Sequence, residues 1–78
     1  MKTNQDFLVY IIRCADGSYY TGSTHDLDQR MRAHEDGRAA PYTAHRRPLS
    51  LVFSERHQSM NAARRRELQI KRWTRKKP

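Results

Sequence analysis

The stretch VYIIRCADGSYYTGS, Val9 to Ser23, decides the fold. Its two halves are rich in β-branched and aromatic residues, and Ala15-Asp16-Gly17 between them is turn chemistry, so Phe7–Cys14 and Ser18–Ser23 read as two strands of a hairpin. Loop length sets what the hairpin presents. If only Asp16 and Gly17 turn, Tyr10 and Tyr20 fall on opposite faces. If the loop is Ala15-Asp16-Gly17, with Gly17 in the left-handed conformation, Cys14 pairs with Ser18, Tyr10 lies opposite Gly22, and Ile12 opposite Tyr20. Paired residues share a face, so the second form brings Tyr10 and Tyr20 to one side. Glycine in the last loop position favours it.

Beyond the hairpin, Asp26–Asp36 reads as a helix, capped by Thr24 or Asp26 and ended by Gly37. Leu27 and Met31 form its apolar stripe, with Arg30 and His34, one turn apart, flanking that stripe. Arg38–Pro48 is a connection with room for helical turns. Leu49–Glu55 alternates as a third strand. Ser59 caps a last helix, Met60–Trp73, whose apolar arc is expected to hold Met60, Ala62, Ala63, Ile70 and Trp73. Arg66 interrupts that arc and Glu67 lies inside it or at its edge. The order ββαβα implies an α+β fold: a small three-stranded antiparallel sheet flanked by helices. The whole chain, 1–78, is expected to be one domain, with a core over about 7–73 and loose ends at 1–6 and 74–78.

Charge narrows the partners. Sixteen Lys and Arg against eight Asp and Glu leave +8, and the isoelectric point is near 10.4. Past Ser59 the basic residues are Arg64, Arg65, Arg66, Lys71, Arg72, Arg75, Lys76 and Lys77, against the single acid Glu67. Such a cluster attracts polyanions, above all nucleic acid. The one cysteine, Cys14, forms no intramolecular disulfide, which points to a reducing, intracellular setting. The apolar run near the start is too short for a signal-peptide core or a membrane span.

Several residues stand out chemically. Glu67 projects toward the core side of a basic helix. A carboxylate there needs an ion-pair partner or a metal, and one glutamate with waters and a substrate phosphate suffices for Mg²⁺. At the edge of its helix's buried face, Arg30 is placed to stabilise charge on a phosphate, and His34 to accept or donate a proton. Tyrosines in strands are ordinarily packing, and a phenol acts as a base at neutral pH only with help from a cation or metal. His25, His34, His45 and His57 are too scattered for a zinc signature, and no paired cysteine exists. No phosphate-cradling glycine loop or Gly-x-Ser-x-Gly turn is present. Cys14 reads as a buried filler.

Taken in order, VYI at Val9–Ile11, YTG at Tyr20–Gly22, Arg30 with His34, YTAHRRP at Tyr42–Pro48, and ARRRELQIKRW at Ala63–Trp73 resemble the GIY-YIG nuclease superfamily, especially its small, stand-alone bacterial members. The likeness runs from about Phe7 to Trp73. Ser23, Thr24 and His25 stand where some members carry a lysine. The resemblance implies a hydrolytic, bacterial and cytoplasmic endonuclease that uses one Mg²⁺ or Mn²⁺ ion and acts on nucleic acid, with DNA ahead of RNA. It implies catalytic roles for Tyr10, Tyr20, Arg30 and His34, and metal binding by Glu67. Either Tyr10 or Tyr20 would take a proton from the attacking water. Arg64, Arg65, Lys71 and Arg72, with Arg46 and Arg47, are expected to hold the nucleic-acid backbone. For Tyr42, Thr43 and Arg46, backbone contact and holding the loop both stay open. The alternative reading is a nucleic-acid-binding module without turnover.

Overall fold

The computed structural model describes residues 6–75. The chain forms β1 (Phe7–Arg13), β2 (Tyr19–Thr24), α1 (Leu27–Glu35), α2 (Pro41–Ala44), β3 (Ser50–His57) and α3 (Met60–Arg75). The three strands make an antiparallel sheet in the order β2-β1-β3, so β1 is central and the other two are edges.

The β1–β2 turn has the three-residue form. Gly17 sits at φ +88°, the left-handed region that favours glycine. The Cys14 amide donates to the Ser18 carbonyl at 2.8 Å, and the Gly17 amide to the Cys14 carbonyl at 2.9 Å. The register follows: Tyr10 opposes Gly22 and Ile12 opposes Tyr20. Of the two cap candidates for α1, Asp26 accepts the Gln29 amide at 3.1 Å, while Thr24 accepts the amide of Asp26 at 3.1 Å and steadies the cap. Gly37, at φ +80°, ends α1: its amide reaches the His34 carbonyl, and the Arg38 amide the Ala33 carbonyl. Ser59 caps α3 by accepting the Ala62 amide at 3.1 Å. In the connection, Pro41 opens the single turn of α2.

The sheet buries a different apolar group on each face. Val9 packs with Ala63 and Ile70 of α3, flanked by Phe7 and Ile11. On the opposite face Tyr10, Ile12 and Cys14 pack with Tyr20, Leu27, Met31 and Leu49. Cys14 is buried and reduced, as a filler.

Three expectations need correction or adjustment. The apolar arc of α3 is shorter than its helical wheel suggests: Ala63 and Ile70 are buried, but Met60 and Trp73 are 51% and 57% exposed. Both lie about one turn beyond that buried pair, and Trp73 is instead covered by the Arg66 guanidinium at 4.9 Å. The third strand starts and ends later than expected and does not alternate cleanly. A bulge between Ile11 and Ile12 pairs them with Phe53 and Leu51, skipping Val52. Of the expected loose ends, 1–5 and 76–78 lie outside the described residues; Thr74 and Arg75 continue α3, and Asp6 pairs with Arg56 at 3.3 Å. Among the described residues no helix is long and apolar enough to cross a membrane.

Candidate active site

The register places the bulkiest residue of central β1 against the smallest residue of edge strand β2. A Cβ added to Gly22 would lie 2.5 Å from the Tyr10 phenol oxygen and 2.7 Å from the carbon bearing it. Any other residue at this position would collide with the ring. With no side chain at Gly22, the Tyr10 ring lies across edge strand β2 on the α1 face, and its hydroxyl comes together with Ser23 of β2 and Glu67 of α3. They share a cavity of about 360 Å³ lined by Tyr10, Tyr20, Gly22, Ser23, Arg30 and Glu67, with Arg64 and Leu68 at its α3 rim.

Tyr10 is buried, and its hydroxyl is 2.9 Å from His34 Nε2. His34, also buried, places Nδ1 2.8 Å from the Thr43 hydroxyl, which in turn donates to the Ala40 carbonyl at 3.2 Å. Because the Thr43 proton goes to Ala40, the Thr43 oxygen accepts from His34 Nδ1–H. The other ring nitrogen, Nε2, is then the acceptor for Tyr10 O–H. Each proton in this chain has one acceptor, and the direction runs from the cavity inward. Burial, with help from the Arg30 charge, lowers the His34 pKa, which favours the neutral imidazole this arrangement needs. Burial and the neighbouring Tyr20 phenol push the Tyr10 pKa up to about 12, against the opposing pull of Arg30. Tyr10 is therefore a phenol, not a phenolate, at neutral pH.

Tyr20 is half-buried and packs its ring edge on His34, with centroids 5.2 Å apart, and stacks on Tyr42 at 6.1 Å. Glu67 reaches the cavity from α3. Its Oε1 accepts the Ser23 hydroxyl at 2.8 Å, and its Oε2 lies 3.0 Å from the Lys71 ammonium. Both oxygens keep lone pairs for a further cation. Among the described residues no three His, Cys, Asp or Glu side chains gather as a metal cluster. One fixed carboxylate beside a basic cavity suits a hard cation that keeps most of its waters and takes the rest of its oxygens from a phosphate.

Tyr10, Tyr20, Arg30 and Glu67 thus line one cavity, with His34 directly behind Tyr10. The basic residues divide. Arg64 is at the rim, and Arg65 and Arg72 are exposed on α3. Lys71 turns to Glu67. Arg46 is engaged at the surface of the fold: it covers the Tyr42 ring at 3.9 Å, pairs with Asp16 at 3.0 Å and donates to the Tyr42 carbonyl at 2.9 Å. Arg47 donates to the carbonyls of Ala44 and Glu35, closing the ends of α2 and α1. Three residues join the site that were not among the expected site residues: Gly22, Ser23, and Thr43, whose role the sequence left open. For Gly22 the signal was present, in a register that sets glycine against tyrosine. For Ser23 and Thr43 only the folded chain supplies it.

The pattern of the GIY-YIG catalytic domain matches residues 6–78. The chain is 43% identical over 77 residues to the UPF0213 protein YazA of Bacillus subtilis (strain 168), covering 99% of this chain and 77% of that protein. A UPF0213 protein of Staphylococcus aureus (strain Mu3) is 45% identical over 69 residues, covering 88% and 84% respectively. The solution NMR structure of the UPF0213 protein BH0048 from Bacillus halodurans is 42% identical with a TM-score of 0.54, covering 86% of this chain and 71% of that one.

Proposed function

This chain belongs to the GIY-YIG catalytic domain family, and on that premise we propose that it is a divalent-metal-dependent endonuclease hydrolysing phosphodiester bonds in nucleic acid, DNA ahead of RNA. The observation that carries the reading is the Tyr10–His34–Thr43 chain opening into the same cavity as Glu67. Tyr10 takes a proton from the attacking water as its own proton passes to His34 Nε2. This exchange needs no free phenolate, so the high pKa of the isolated phenol is no obstacle. His34 holds the proton while its Nδ1–H stays bonded to Thr43. Arg30, on the cavity wall, faces the negative charge that builds on the phosphate. Tyr20 shapes the wall beside the attacked phosphorus. Glu67 would hold one Mg²⁺ or Mn²⁺ ion with waters and substrate oxygens. That ion, when bound, neutralises phosphate charge and eases departure of the leaving oxygen. Arg64, Arg65 and Arg72 would grip the backbone.

A reading without turnover draws on one feature, the Lys71 ammonium at 3.0 Å from Glu67, which already supplies that carboxylate with a cation. Labelled single-stranded, duplex, flapped and branched DNA and RNA, incubated with Mg²⁺, Mn²⁺ or EDTA, separate the two. The nuclease reading expects metal-dependent products from the wild type and none from Glu67→Ala, with binding retained. Binding without products on every substrate would establish the binding module instead. Equal cleavage by both proteins would remove Glu67 from its role.

A further inference from the structure

A second cavity, of about 170 Å³, adjoins the first and shares Ser23, Arg30 and Arg64 with it. Its remaining walls are Phe7, Thr24, His25 and Met60. The Phe7 and His25 rings meet edge to face, their centroids 6.4 Å apart. His25 is exposed, and Met60 is 51% exposed. The cavity thus sets apolar and aromatic surface beside two arginines. Along α3, Met60, Arg64 and Leu68 follow one another at single-turn spacing, and Leu68, 62% exposed, stands at the rim of the first cavity. A cation is thus flanked on both sides by apolar groups.

That alternation matches the repeat of a nucleic-acid strand, in which a charged phosphate lies between two flat, apolar bases. The shared arginines give both cavities one anionic occupant. A base in a duplex has its faces stacked on its neighbours and offers only its edges and backbone. A base that is unpaired and turned out offers its face to aromatic and thioether groups.

We propose that the second cavity seats an unpaired nucleobase next to the phosphate held in the first, so that the favoured substrates are single-stranded or splayed at the scissile position. The Phe7–His25 pair and Met60 form the seat, and Arg64 bridges to the phosphate. This proposal rests on the nuclease reading for its choice of phosphate, but its test does not depend on turnover.

The test measures binding in a Glu67→Ala background, where no strand is cut. Two labelled single-stranded DNAs of equal length and charge are compared, one with ordinary bases and one abasic throughout. Loss of the stacked bases is expected to weaken binding by about five- to a hundredfold. Adding His25→Ala and Met60→Ala is expected to remove most of that difference. Both side chains are exposed, and thermal melting checks that the fold is unchanged. An abasic strand that binds as tightly as the ordinary one would overturn the proposal, as would an abasic penalty that survives the two substitutions. Failure of the wild type to cleave any substrate would instead overturn the nuclease reading, leaving the binding result to be judged separately.

Discussion

The two edge strands flank the same central strand and were built for different ends. Along β2, groups converge on one cavity: Tyr10 lying over Gly22, Tyr20 beside it, and Ser23 holding Glu67. Along β3, the side chains stay apart. Leu51, Val52 and Phe53 are 42%, 49% and 37% exposed, and a bulge breaks their alternation. Its charged residues pair locally, Glu55 with Arg66 and His57, and Arg56 with Asp6. Both edges carry tyrosine-like or aliphatic bulk and both have polar neighbours. What separates them is the missing side chain at Gly22, which lets the Tyr10 ring lie across β2 and its hydroxyl line the cavity that Glu67 reaches.

Filling that gap is therefore the harshest change. Gly22→Val places carbon where the Tyr10 oxygen lies, and the ring is anchored by His34. Cleavage is expected to fall by at least about 100-fold through misplacement of the phenol. Stability is expected to drop by about 1–3 kcal/mol from overpacking. Single-turnover cleavage and thermal melting measure the two effects. Phe53→Ser on β3 is the matched control, expected to cost about 1–2 kcal/mol through lost apolar burial and to leave cleavage by the folded protein intact.

Removing His34 tests the inward proton chain. His34→Ala removes the acceptor of the Tyr10 hydroxyl and the donor to Thr43, and leaves a gap in the interior. Denaturant unfolding should show a loss of about 2–4 kcal/mol. Cleavage by the fraction that remains folded should fall by about 10²–10⁴-fold. On the other edge, Glu55→Ala removes a half-exposed network and should cost about 0–1 kcal/mol.

The same chain makes stability depend on pH at both ends. His34 has its pKa lowered in the fold, so the unfolded chain takes up a proton first as pH falls. Its contribution is fully present above the ordinary histidine value, near 6.5, and is lost as pH drops through the lower folded value. Tyr10 is raised from 10.0 to about 12, so the unfolded chain loses its proton first as pH rises. Its contribution is present below pH 10 and is lost between there and about 12. Melting temperature against pH should show both declines, and Tyr10→Phe should remove the alkaline one.

Much of this was legible in the chain. Gly17 specified the three-residue turn, and the turn specified the register that aligns Tyr10 with Tyr20. The caps at Asp26 and Ser59 and the stop at Gly37 follow from local chemistry, which acts over a few residues. The chain was less informative wherever the answer depends on distant neighbours. A helical wheel places Met60 and Trp73 on the apolar side of α3 but carries no information about where the sheet ends beneath it. Composition counts Arg46, Arg47 and Lys71 as cations free for a polyanion, yet the fold spends them on Tyr42 and Asp16, on helix-end carbonyls, and on Glu67. Thr43 looks like any loop threonine until α2 brings it to His34. Nothing in the alternation of Leu49–Glu55 signals the bulge at Val52.

The central claim is that Tyr10, not Tyr20, receives the proton of the attacking water, because among the described residues it is the Tyr10 hydroxyl that meets His34 Nε2, while Tyr20 meets the same imidazole by its ring edge. Single-turnover cleavage by Tyr10→Phe and Tyr20→Phe, each checked for retained substrate binding, tests this most directly. The account predicts a loss of about 10²–10⁴-fold for Tyr10→Phe and less than about tenfold for Tyr20→Phe. The reverse order, or full activity in Tyr10→Phe, would contradict it.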